Sequence, residues 1–449
     1  MKNLKEWQPN PQNTINLSPP SLLALGFLSF IILGTLLLKL PISHHGELSW
    51  LNSLFTATSA VTITGLSVVN VGETFTVTGK VIIMLLIQIG GLGFMTFAIL
   101  AALSLSAKLG LKQQIMAQET IGQTSLSKVS FTIKGVLLYS LFFEAIGTVI
   151  LTIAWMEDYN FNQAFFYAAF YSVSAFNNGG FSLFPNSLMS FSGQYLITFT
   201  ISMLYIIGGI GFVVLMDIKR SKRWKGLSTN SKLILSTIAG LNLIAFVLLW
   251  AIESNNPLTL APMSLGDQAL NAWFHATVPR SSGFNSLDLA QMKDASTLVT
   301  MLLMFIGGGS MSTAGGIKVG TFIIVLLSVI SFLRREDEIR VFNHAVSEKT
   351  SFKAMAVVSI TATLVFLGIF SLTLIEPNHE FIDLLFETIS AACTVGLSRG
   401  ITGELQPASL FVLMLLMFAG RLGPLTLAYL IATPKKSRLK HPTTDIQIG

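Results

Sequence analysis

The stretch Ser390-Ala391-Ala392-Cys393-Thr394-Val395-Gly396-Leu397-Ser398 contains a pattern that recurs along the chain: Ser-Ala, four residues, Gly, Leu or Phe, and Ser. It reads SAVTITGLS at 59–67 and SAFNNGGFS at 174–182. The copy TVPRSSGFN at 277–285 keeps the glycine and the Phe and departs elsewhere. A period of about one hundred residues indicates an internal repeat of one structural unit.

Each copy of the pattern lies in the same hydropathy context. A full-length apolar helix is predicted upstream of each copy, at 20–40, 132–155, 233–252 and 354–375. A shorter amphipathic segment then ends at the motif, at 50–60, 162–175, 267–278 and 381–393. At about 1.5 Å per residue, these segments reach only halfway across a hydrocarbon core of about 30 Å. They are predicted to be re-entrant half-helices, which surrounding protein must shield from lipid.

A second spanning helix is predicted after each motif, with a glycine-rich start. The glycine-rich stretches are Gly90-Gly91-Leu92-Gly93, Gly208-Gly209-Ile210-Gly211, Gly307-Gly308-Gly309 and Gly420-Arg421-Leu422-Gly423. Small residues permit close helix contact, so these stretches should border an axis beneath the loops. The predicted fold is an all-α integral membrane protein of four pseudo-repeated units, with eight transmembrane helices and four half-helices around a central pore.

The composition favours a chain that lies in the lipid bilayer along its whole length. Of its 449 residues, 52% are hydrophobic and 11% are charged, whereas a soluble domain carries roughly 25% charged residues. The first apolar run lacks a small-residue cleavage site and is interpreted as a retained helix rather than a signal peptide. No separate soluble domain is expected.

The distribution of basic residues predicts the topology. Lys and Arg cluster in three connections and at the C-terminal end, at 108–128, 219–232, 334–353 and 435–440, and the connections between these clusters carry mainly acids. By the positive-inside rule, both termini and the basic loops are cytoplasmic and the chain lies in the cell membrane. The formal net charge of +6 therefore reflects topology, and no nucleic-acid partner is expected.

These patterns predict the following division of the chain. It consists of a cytoplasmic tail at 1–17, pore unit 1 at 18–107, pore unit 2 at 130–218, pore unit 3 at 232–333 with an intramembrane loop at 307–320, pore unit 4 at 353–433, and a cytoplasmic tail at 434–449.

The four motif loops have the chemistry of an ion filter. Irregular backbone at membrane depth is tolerated only where protein buries it or where it lines a wet cavity. Rings of backbone carbonyl oxygens can replace the hydration shell of a cation, and glycine leaves those carbonyls unobstructed. Thr394-Val395-Gly396 matches the first three residues of the potassium-channel filter, with Leu397-Ser398 in place of Tyr-Gly.

Four pore loops in one chain, one filter glycine in each and a glycine-rich break in the third unit resemble the Trk/Ktr/HKT superfamily, most closely bacterial Ktr membrane subunits. The resemblance covers residues 18–433. It implies potassium as the transported ion, with sodium as a second candidate for a transported or coupling ion and no cofactor bound by the chain. The implied selectivity filter comprises Thr62, Ile63, Thr64, Gly65, Asn178, Gly179, Gly180, Ser281, Ser282, Gly283, Thr394, Val395 and Gly396. Glycine at position 65 favours potassium, because serine there marks sodium-preferring plant relatives.

Two features of the sequence are candidate gates. The stretch 307–320 interrupts an apolar helix, and each Gly costs about 1 kcal/mol relative to Ala in a helix. It is interpreted as an intramembrane gating loop, and the alternative is a packing kink. Arg421 stands alone among apolar residues and is interpreted as a positive barrier in the pore, with structural bonding to carbonyls as the alternative. The predicted gate residues are Gly308, Gly309, Ser310, Thr313, Gly315, Gly316, Lys318 and Arg421.

Other polar residues near the loops are assigned structural roles. Arg280 should point away from a cation pathway, and Asn177 and Asn178 should support the second loop through their amides. The histidines show no ligand spacing, so no metal site is predicted apart from potassium at filter carbonyls. No nucleophile, base or metal cluster indicates an enzyme.

The main competing function is a secondary cation transporter, such as a sodium-coupled symporter. Carriers often place ionisable residues at a midplane site and use inverted repeats, whereas these repeats share one orientation. The Ktr resemblance also implies a homodimer resting on a ring of cytosolic nucleotide-binding regulatory subunits of the KtrA/KtrC type. The basic cytoplasmic loops, including the segment 334–349, are candidate contacts for that ring.

Overall fold

The computed structural model of this chain describes residues 19–93, 126–424 and 426–427. The predicted tails at 1–17 and 434–449 lie outside the described residues, as do the ends of units 1 and 4 at 94–107 and 428–433. The described part is mostly helical.

Successive quarters of the chain follow one order of helices: a long one, a short one and one that ends at a glycine-rich break. The first quarter contains α1 (Pro19–Leu38), α2 (Trp50–Val61), the single turn α3 (Val71–Thr74) and α4 (Val77–Leu92). The second contains α5 (Leu126–Trp155), α6 (Phe161–Phe176), α7 (Tyr195–Ile210) and α8 (Phe212–Ser221). The third contains α9 (Thr229–Glu253), α10 (Leu265–Thr277), α11 (Asp294–Phe305) and α12 (Val319–Leu333). The fourth contains α13 (Glu348–Ile375), α14 (Phe381–Ala392) and α15 (Pro407–Leu422).

The remaining elements are short. Single 3-10 turns lie at Met189–Phe191, Trp224–Gly226, Leu289–Gln291 and Ile401–Glu404. Strands β1 (Arg340–Val341) and β2 (His344–Ala345) pair as an antiparallel hairpin between α12 and α13.

Three of the described helices are long and apolar enough to cross a membrane. They are Gly135–Trp155 within α5, Thr229–Glu253 and Glu348–Ile375. The pair α7 and α8, bent by 93° at its junction, makes a fourth if the two helices are taken as one span. The chain is therefore a mostly helical membrane protein, and the count of eight spans stays a prediction.

The short helices α2, α6, α10 and α14 form the centre of the molecule. Each contributes a large side chain that is at most 1% exposed: Phe55, Tyr171, Phe274 and Phe386. The long helices turn apolar side chains outward, and Leu36, Phe142, Leu243 and Phe366 are more than half exposed. Protein thus surrounds the C-terminal parts of the short helices, which is the shielding that a half-span in a bilayer needs.

Capping side chains fix where three of the short helices begin. The Ser49 hydroxyl accepts a hydrogen bond from the Asn52 amide at the start of α2. Asn160 does the same at α6, and Ser264 at α10. A cap of this kind stabilises a helix by about 1 kcal/mol. The caps define one end of these three short helices, and the motif loops begin at the other.

The prediction that the glycine-rich stretches begin the second spanning helices is wrong. Gly93, Gly211 and Gly423 instead follow directly after the C-terminal ends of α4, α7 and α15, with φ angles of +79°, +106° and +82°. A left-handed residue of this kind ends an α-helix and favours glycine, because it has no Cβ. Composition alone did not distinguish the start of a helix from its end.

Close packing explains the other glycines of these stretches. A Cβ atom built on Gly90 would lie 2.2 Å from the carbonyl oxygen of Val61, the last residue of α2. The corresponding distance is 1.9 Å from Gly208 to Phe176 and 2.1 Å from Gly420 to Ala392. Helices α4, α7 and α15 therefore touch the C-terminal carbonyl of the short helix in their own quarter, a contact that any side chain would prevent.

Candidate functional site

The structure brings the glycines of the four motifs together in a ring. A Cβ atom built on Gly65 would lie 3.0 Å from the Cα atom of Gly180, and one built on Gly180 would lie 2.7 Å from that of Gly283. From Gly283 to Gly396 the distance is 3.4 Å, and from Gly396 back to Gly65 it is 3.0 Å. Four segments from four quarters of the chain thus converge on one axis.

The backbone of each of these glycine loops (62–65, 178–180, 281–283 and 394–396) is left-handed at two positions. The glycines have φ angles of +94°, +68°, +73° and +90° at Gly65, Gly180, Gly283 and Gly396. The residues two positions earlier also have positive φ: Ile63 (50°), Asn178 (56°), Ser281 (77°) and Thr394 (49°). For non-glycine residues this conformation is strained, and it persists only where the surrounding structure enforces it. Its occurrence at the same place in four loops shows that the four loops share one backbone conformation.

The first Ser of the motif, on the short helix, bonds to the amide of the ring glycine in two of the loops. The Gly65 amide donates to the Ser59 hydroxyl at 3.0 Å, and the Gly396 amide donates to the Ser390 hydroxyl at 3.1 Å. The third loop has Thr277 at this position, and its hydroxyl instead bonds to the Tyr205 hydroxyl. The motif is therefore a structural unit, in which the short helix supports the turn that follows it.

The last residue of the motif shapes the segment that leaves the ring. The Ser67 hydroxyl donates to the Val69 carbonyl at 2.6 Å. The Ser182 hydroxyl donates to the Phe184 carbonyl, and the Asn285 amide to the Leu287 carbonyl, each at 3.0 Å. Side-chain bonds of this type, two residues along the chain, stabilise turns.

Sequence reasoning missed a second support for these outgoing segments. A buried side chain on the short helix binds the segment in three quarters. The Tyr171 hydroxyl accepts from the Leu183 amide at 3.1 Å, and His275 Nε2 accepts from the Leu287 amide at 3.2 Å. Glu387 accepts from the Ser398 hydroxyl. The three side chains differ in type, so no shared motif revealed them.

A cavity of about 500 Å³ opens on one side of the ring. It is lined by all four ring glycines, and Asp288 and Arg399 contribute charge to its wall. Arg399 donates to the Asp383 carboxylate and, at 3.1 Å, to the Leu289 carbonyl of the third quarter. The cavity has a polar lining, and Arg399 joins two quarters at its rim.

Away from the residues that line the cavity, the glycine loops contact an irregular segment between α11 and α12, here called the glycine-rich loop (306–318). The last two residues of the predicted stretch 307–320 belong to α12 instead. The Gly307 amide donates to the Ile317 carbonyl at 2.9 Å, which pinches the loop at its neck. A Cβ atom on Gly315 would lie 1.8 Å from the Thr394 hydroxyl oxygen. The loop therefore packs directly against the fourth glycine loop.

Side chains bond the glycine-rich loop to the glycine loops. Asn178 Nδ2 donates to the Thr313 hydroxyl at 2.8 Å. The Ser281 hydroxyl donates to the Thr394 carbonyl at 2.6 Å and accepts from the Gly315 amide at 2.8 Å. These bonds cross between the second, third and fourth quarters of the chain.

The remaining predicted gate residues lie against the second quarter or within the loop. The Gly309 amide donates to the Gly209 carbonyl at 2.8 Å, and a Cβ atom on Gly308 would lie 2.6 Å from the same oxygen. A Cβ atom on Gly211 would lie 2.4 Å from the Ser310 carbonyl. Gly316 has a left-handed backbone with φ +66°.

Two cationic side chains, one outside the glycine-rich loop and one within it, donate to its carbonyls. Arg421 donates to the Thr313 carbonyl at 2.9 Å and also to the Gly90 carbonyl of the first quarter. Lys318 donates to the Ala314 carbonyl. Arg421 therefore contacts the glycine-rich loop, as the barrier interpretation predicts. It does so by bonding to backbone carbonyls, as the structural interpretation predicts.

The sequence model of a family described as cation transport protein, TrkH, matches residues 23–439 of this chain. The chain belongs to the TrkH family. The resemblance to the Trk/Ktr/HKT superfamily that the glycine loops indicated is thereby confirmed.

Two relatives match the TrkH-family chain from end to end. It is 43% identical over 435 residues to Ktr system potassium uptake protein B of Bacillus subtilis, and the match covers 97% of this chain and 98% of that protein. It is 34% identical over 441 residues to potassium/sodium uptake protein NtpJ of Enterococcus hirae, with coverages of 96% and 98%. Both relatives are transport proteins, and this member of the family is a transporter rather than an enzyme.

A solved structure shares the fold. The crystal structure of the potassium transporter TrkH from Vibrio parahaemolyticus superimposes with a TM-score of 0.75 and covers 95% of this chain and 87% of that one. Sequence identity is 20%, so this likeness concerns the architecture.

Arg280 and Asn177 are buried and bond to groups outside the glycine loops. Arg280 is 6% exposed and donates to the Ile238 carbonyl of α9 at 3.4 Å. Asn177 Nδ2 donates to Gln88 at 2.8 Å and to Glu144 at 3.0 Å. Asn178 differs from the prediction because it also reaches the glycine-rich loop, a contact that sequence spacing did not reveal.

The other predicted filter positions are buried. Thr62 donates to the Thr58 carbonyl at 2.7 Å and shares a bond of 2.8 Å with the Thr64 hydroxyl. Val395 has no exposed surface. In the described ranges, no group of three or more His, Cys, Asp and Glu side chains lies close enough to hold a metal ion.

Proposed function

We propose that this chain is the membrane subunit of a Ktr-type potassium-uptake system, in which K⁺ crosses the cell membrane through the ring of glycine loops. The observation that carries the proposal is the convergence of Gly65, Gly180, Gly283 and Gly396 on one axis, each within contact of the next. The potassium-uptake relatives support the choice of ion.

The chemistry of the ring suits a dehydrated cation. Carbonyl oxygens of the four loops replace the water lost on entry. The short helices α2, α6, α10 and α14 all end at the ring, so the partial negative charge of their C-terminal ends faces the ion. The proposed filter consists of residues 62–65, 178–180, 281–283 and 394–396.

The glycine-rich loop is the proposed gate. It lies against the ring on the side opposite the cavity, and Arg421 adds positive charge where it contacts Thr313. A cation that leaves the ring has to pass both. Flux should therefore require the loop to leave its place.

The proposed topology has eight spans with both termini in the cytoplasm. The cavity at the ring then opens outward, and the hairpin β1–β2 and α8 face the cytoplasm with their basic residues, which include Lys219, Arg220 and Arg340. Those surfaces are the proposed contacts for a cytosolic nucleotide-binding regulatory subunit, and the membrane subunit is proposed to form a homodimer.

Potassium rather than sodium is the proposed main substrate. The ring position that is serine in sodium-preferring plant relatives is Gly65 here. One relative is named for both ions, so sodium is proposed as a secondary transported or coupling ion. A closed ring of four backbone loops favours a pore over the alternative of a sodium-coupled carrier.

Complementation tests the proposal. The chain should restore growth of cells that lack potassium uptake when external K⁺ is low, and more so when its presumed regulatory subunit is expressed with it. Membrane localisation is checked in parallel. Failure to restore growth, with the chain present in the membrane and its partner expressed, would overturn the proposed function.

A further inference from the structure

One buried hydroxyl joins the ring to the glycine-rich loop. Ser281 has no exposed surface, and its backbone is left-handed with φ +77°. Its hydroxyl donates to the Thr394 carbonyl at 2.6 Å and accepts from the Gly315 amide at 2.8 Å. The donor and the acceptor of this single group therefore serve two segments that are proposed to act separately, as filter and gate.

The equivalent positions of the other quarters show that this link is specific to the third. Ile63 has no polar side-chain atom. Asn178 bonds to Thr313 on the glycine-rich loop and accepts from Ser282, so it binds side chains rather than filter carbonyls. The Thr394 hydroxyl oxygen is buried without a hydrogen-bond partner. Among these positions Ser281 alone bonds both a filter carbonyl and a loop amide.

The two bonds of Ser281 reinforce each other. A hydroxyl that accepts a hydrogen bond becomes a stronger donor, because each bond polarises the next. While the Gly315 amide is in place, Ser281 therefore holds the Thr394 carbonyl firmly. When the loop departs, that carbonyl is held less strongly and has more of its electron density available for a cation.

We propose that Ser281 is a positioning residue that couples the glycine-rich loop to the ion filter, through the carbonyl of Thr394. This rests on the proposed function of the ring as a filter. The Ser281 hydroxyl, strengthened as a donor by the bound loop, then competes with an ion for the carbonyl oxygen of Thr394. By linkage, an ion bound there favours release of the loop to the same extent that release of the loop favours the ion.

Hydrogen exchange tests the coupling without any need for transport. Purified full-length Ser281→Ala should exchange the amides of 307–318 about fivefold faster than the wild-type chain, the factor that corresponds to one net hydrogen bond of ~1 kcal/mol. Ser43→Ala is the matched control. It removes a buried hydroxyl that donates to the Leu37 carbonyl at the end of α1, away from the ring, so exchange of 307–318 should keep its wild-type rate.

Flux provides a second readout that a merely structural hydroxyl would not move. In liposomes containing the purified chain without a regulatory subunit, Ser281→Ala should raise K⁺ flux about fivefold by the same estimate and lower the ratio of K⁺ to Na⁺ flux. Ser328→Ala removes a hydroxyl that joins α12 to α13 and should leave both values unchanged.

Conservative replacements protect the test against misfolding. Ser281→Thr retains the hydroxyl, and Thr394 shows that threonine is tolerated at the equivalent position with φ 49°, so wild-type exchange and flux are expected. Ser281→Cys, with a weaker donor, should lie between wild type and Ala. Wild-type exchange in a folded Ser281→Ala or Ser281→Cys chain, or Ala-like exchange in Ser281→Thr, would overturn the coupling. An inactive wild-type chain would overturn the proposed function instead, and exchange would still decide the coupling.

Discussion

A single methyl group at Gly396 has no room in the ring. The backbone there has φ +90°, and a Cβ atom would lie 2.0 Å from the Thr64 carbonyl oxygen. We expect Gly396→Ala to lower K⁺ uptake by more than about tenfold, because the displaced carbonyl no longer replaces water around the ion. Uptake of a K⁺ tracer into liposomes containing the purified variant measures this.

Gly240→Ala is the matched control for that substitution. Gly240 lies within α9, and a Cβ atom there meets nothing within 4 Å. This variant should transport at the wild-type rate. Equal uptake by the Gly396 and Gly240 variants would show that the ring does not line the pathway.

Substitution of Arg421 distinguishes a positive barrier in the pathway from a structural group that bonds carbonyls. Removing its guanidinium frees the Thr313 and Gly90 carbonyls and takes a positive charge from the proposed pathway. We expect Arg421→Ala to raise K⁺ flux several-fold at equal protein amount, since like charges repel a cation. The flux of reconstituted protein, measured against the exposed variant Arg334→Ala, provides the comparison. Reduced flux would favour the clasp.

The role of a residue was predictable where the backbone conformation requires a particular residue type. It was not predictable where the role depends on a partner far away in the sequence. The ring glycines follow from spacing, because few other residues tolerate their φ angles. Ser281 bonds to Thr394, 113 residues away, and Arg399 bonds to Leu289, 110 residues away. Nothing in a local pattern specifies such a pair.

The glycine-rich loop is the element on which the proposed gating depends. It is tied to the second quarter through Asn178, to the third through Ser281 and to the fourth through Arg421. We expect deletion of 310–314 to raise K⁺ flux several-fold, because the deletion removes Thr313 and shortens the segment that closes the ring. The measurement is K⁺ flux in liposomes, with the thermal unfolding midpoint as a check on folding. Wild-type flux in a folded deletion variant would refute the gate.

Helix boundaries were predicted well where the length of an apolar segment determines them, and less well where a glycine-rich break determines them. The long and short helices end within a few residues of their predicted positions, since their apolar lengths are clear. The glycine-rich stretches were placed at helix starts, whereas φ angles at Gly93, Gly211 and Gly423 show helix ends. Sequence shows that glycine is present, and only coordinates show which way the chain then turns.

Contacts between quarters stabilise the molecule as a whole. The Arg399–Asp383 ion pair has side chains that are 9% and 19% exposed, and Arg399 also donates to Thr297 at 3.0 Å. We expect Arg399→Met to lower the thermal unfolding midpoint in detergent by several degrees, because a poorly solvated Asp383 loses its partner, at a cost of about 2 kcal/mol.

Arg340→Met is the control for that loss. Its pair with Glu338 spans 4.0 Å, and the two side chains are 74% and 59% exposed. Exposed pairs contribute little to stability, so the unfolding midpoint should not change. An equally large fall of the unfolding midpoint in Arg340→Met would show that loss of a positive charge, rather than loss of the contact between quarters, lowers stability.

The ring of four unlike loops has a consequence for how such a protein can vary. In a channel assembled from four identical chains, each genetic change appears at every corner of the pore at once. Here Ile63, Asn178, Ser281 and Thr394 occupy equivalent corners with four different side chains. If the ring is the proposed pore, evolution can adjust one corner while the other three preserve conduction, which permits small graded steps in preference among alkali ions.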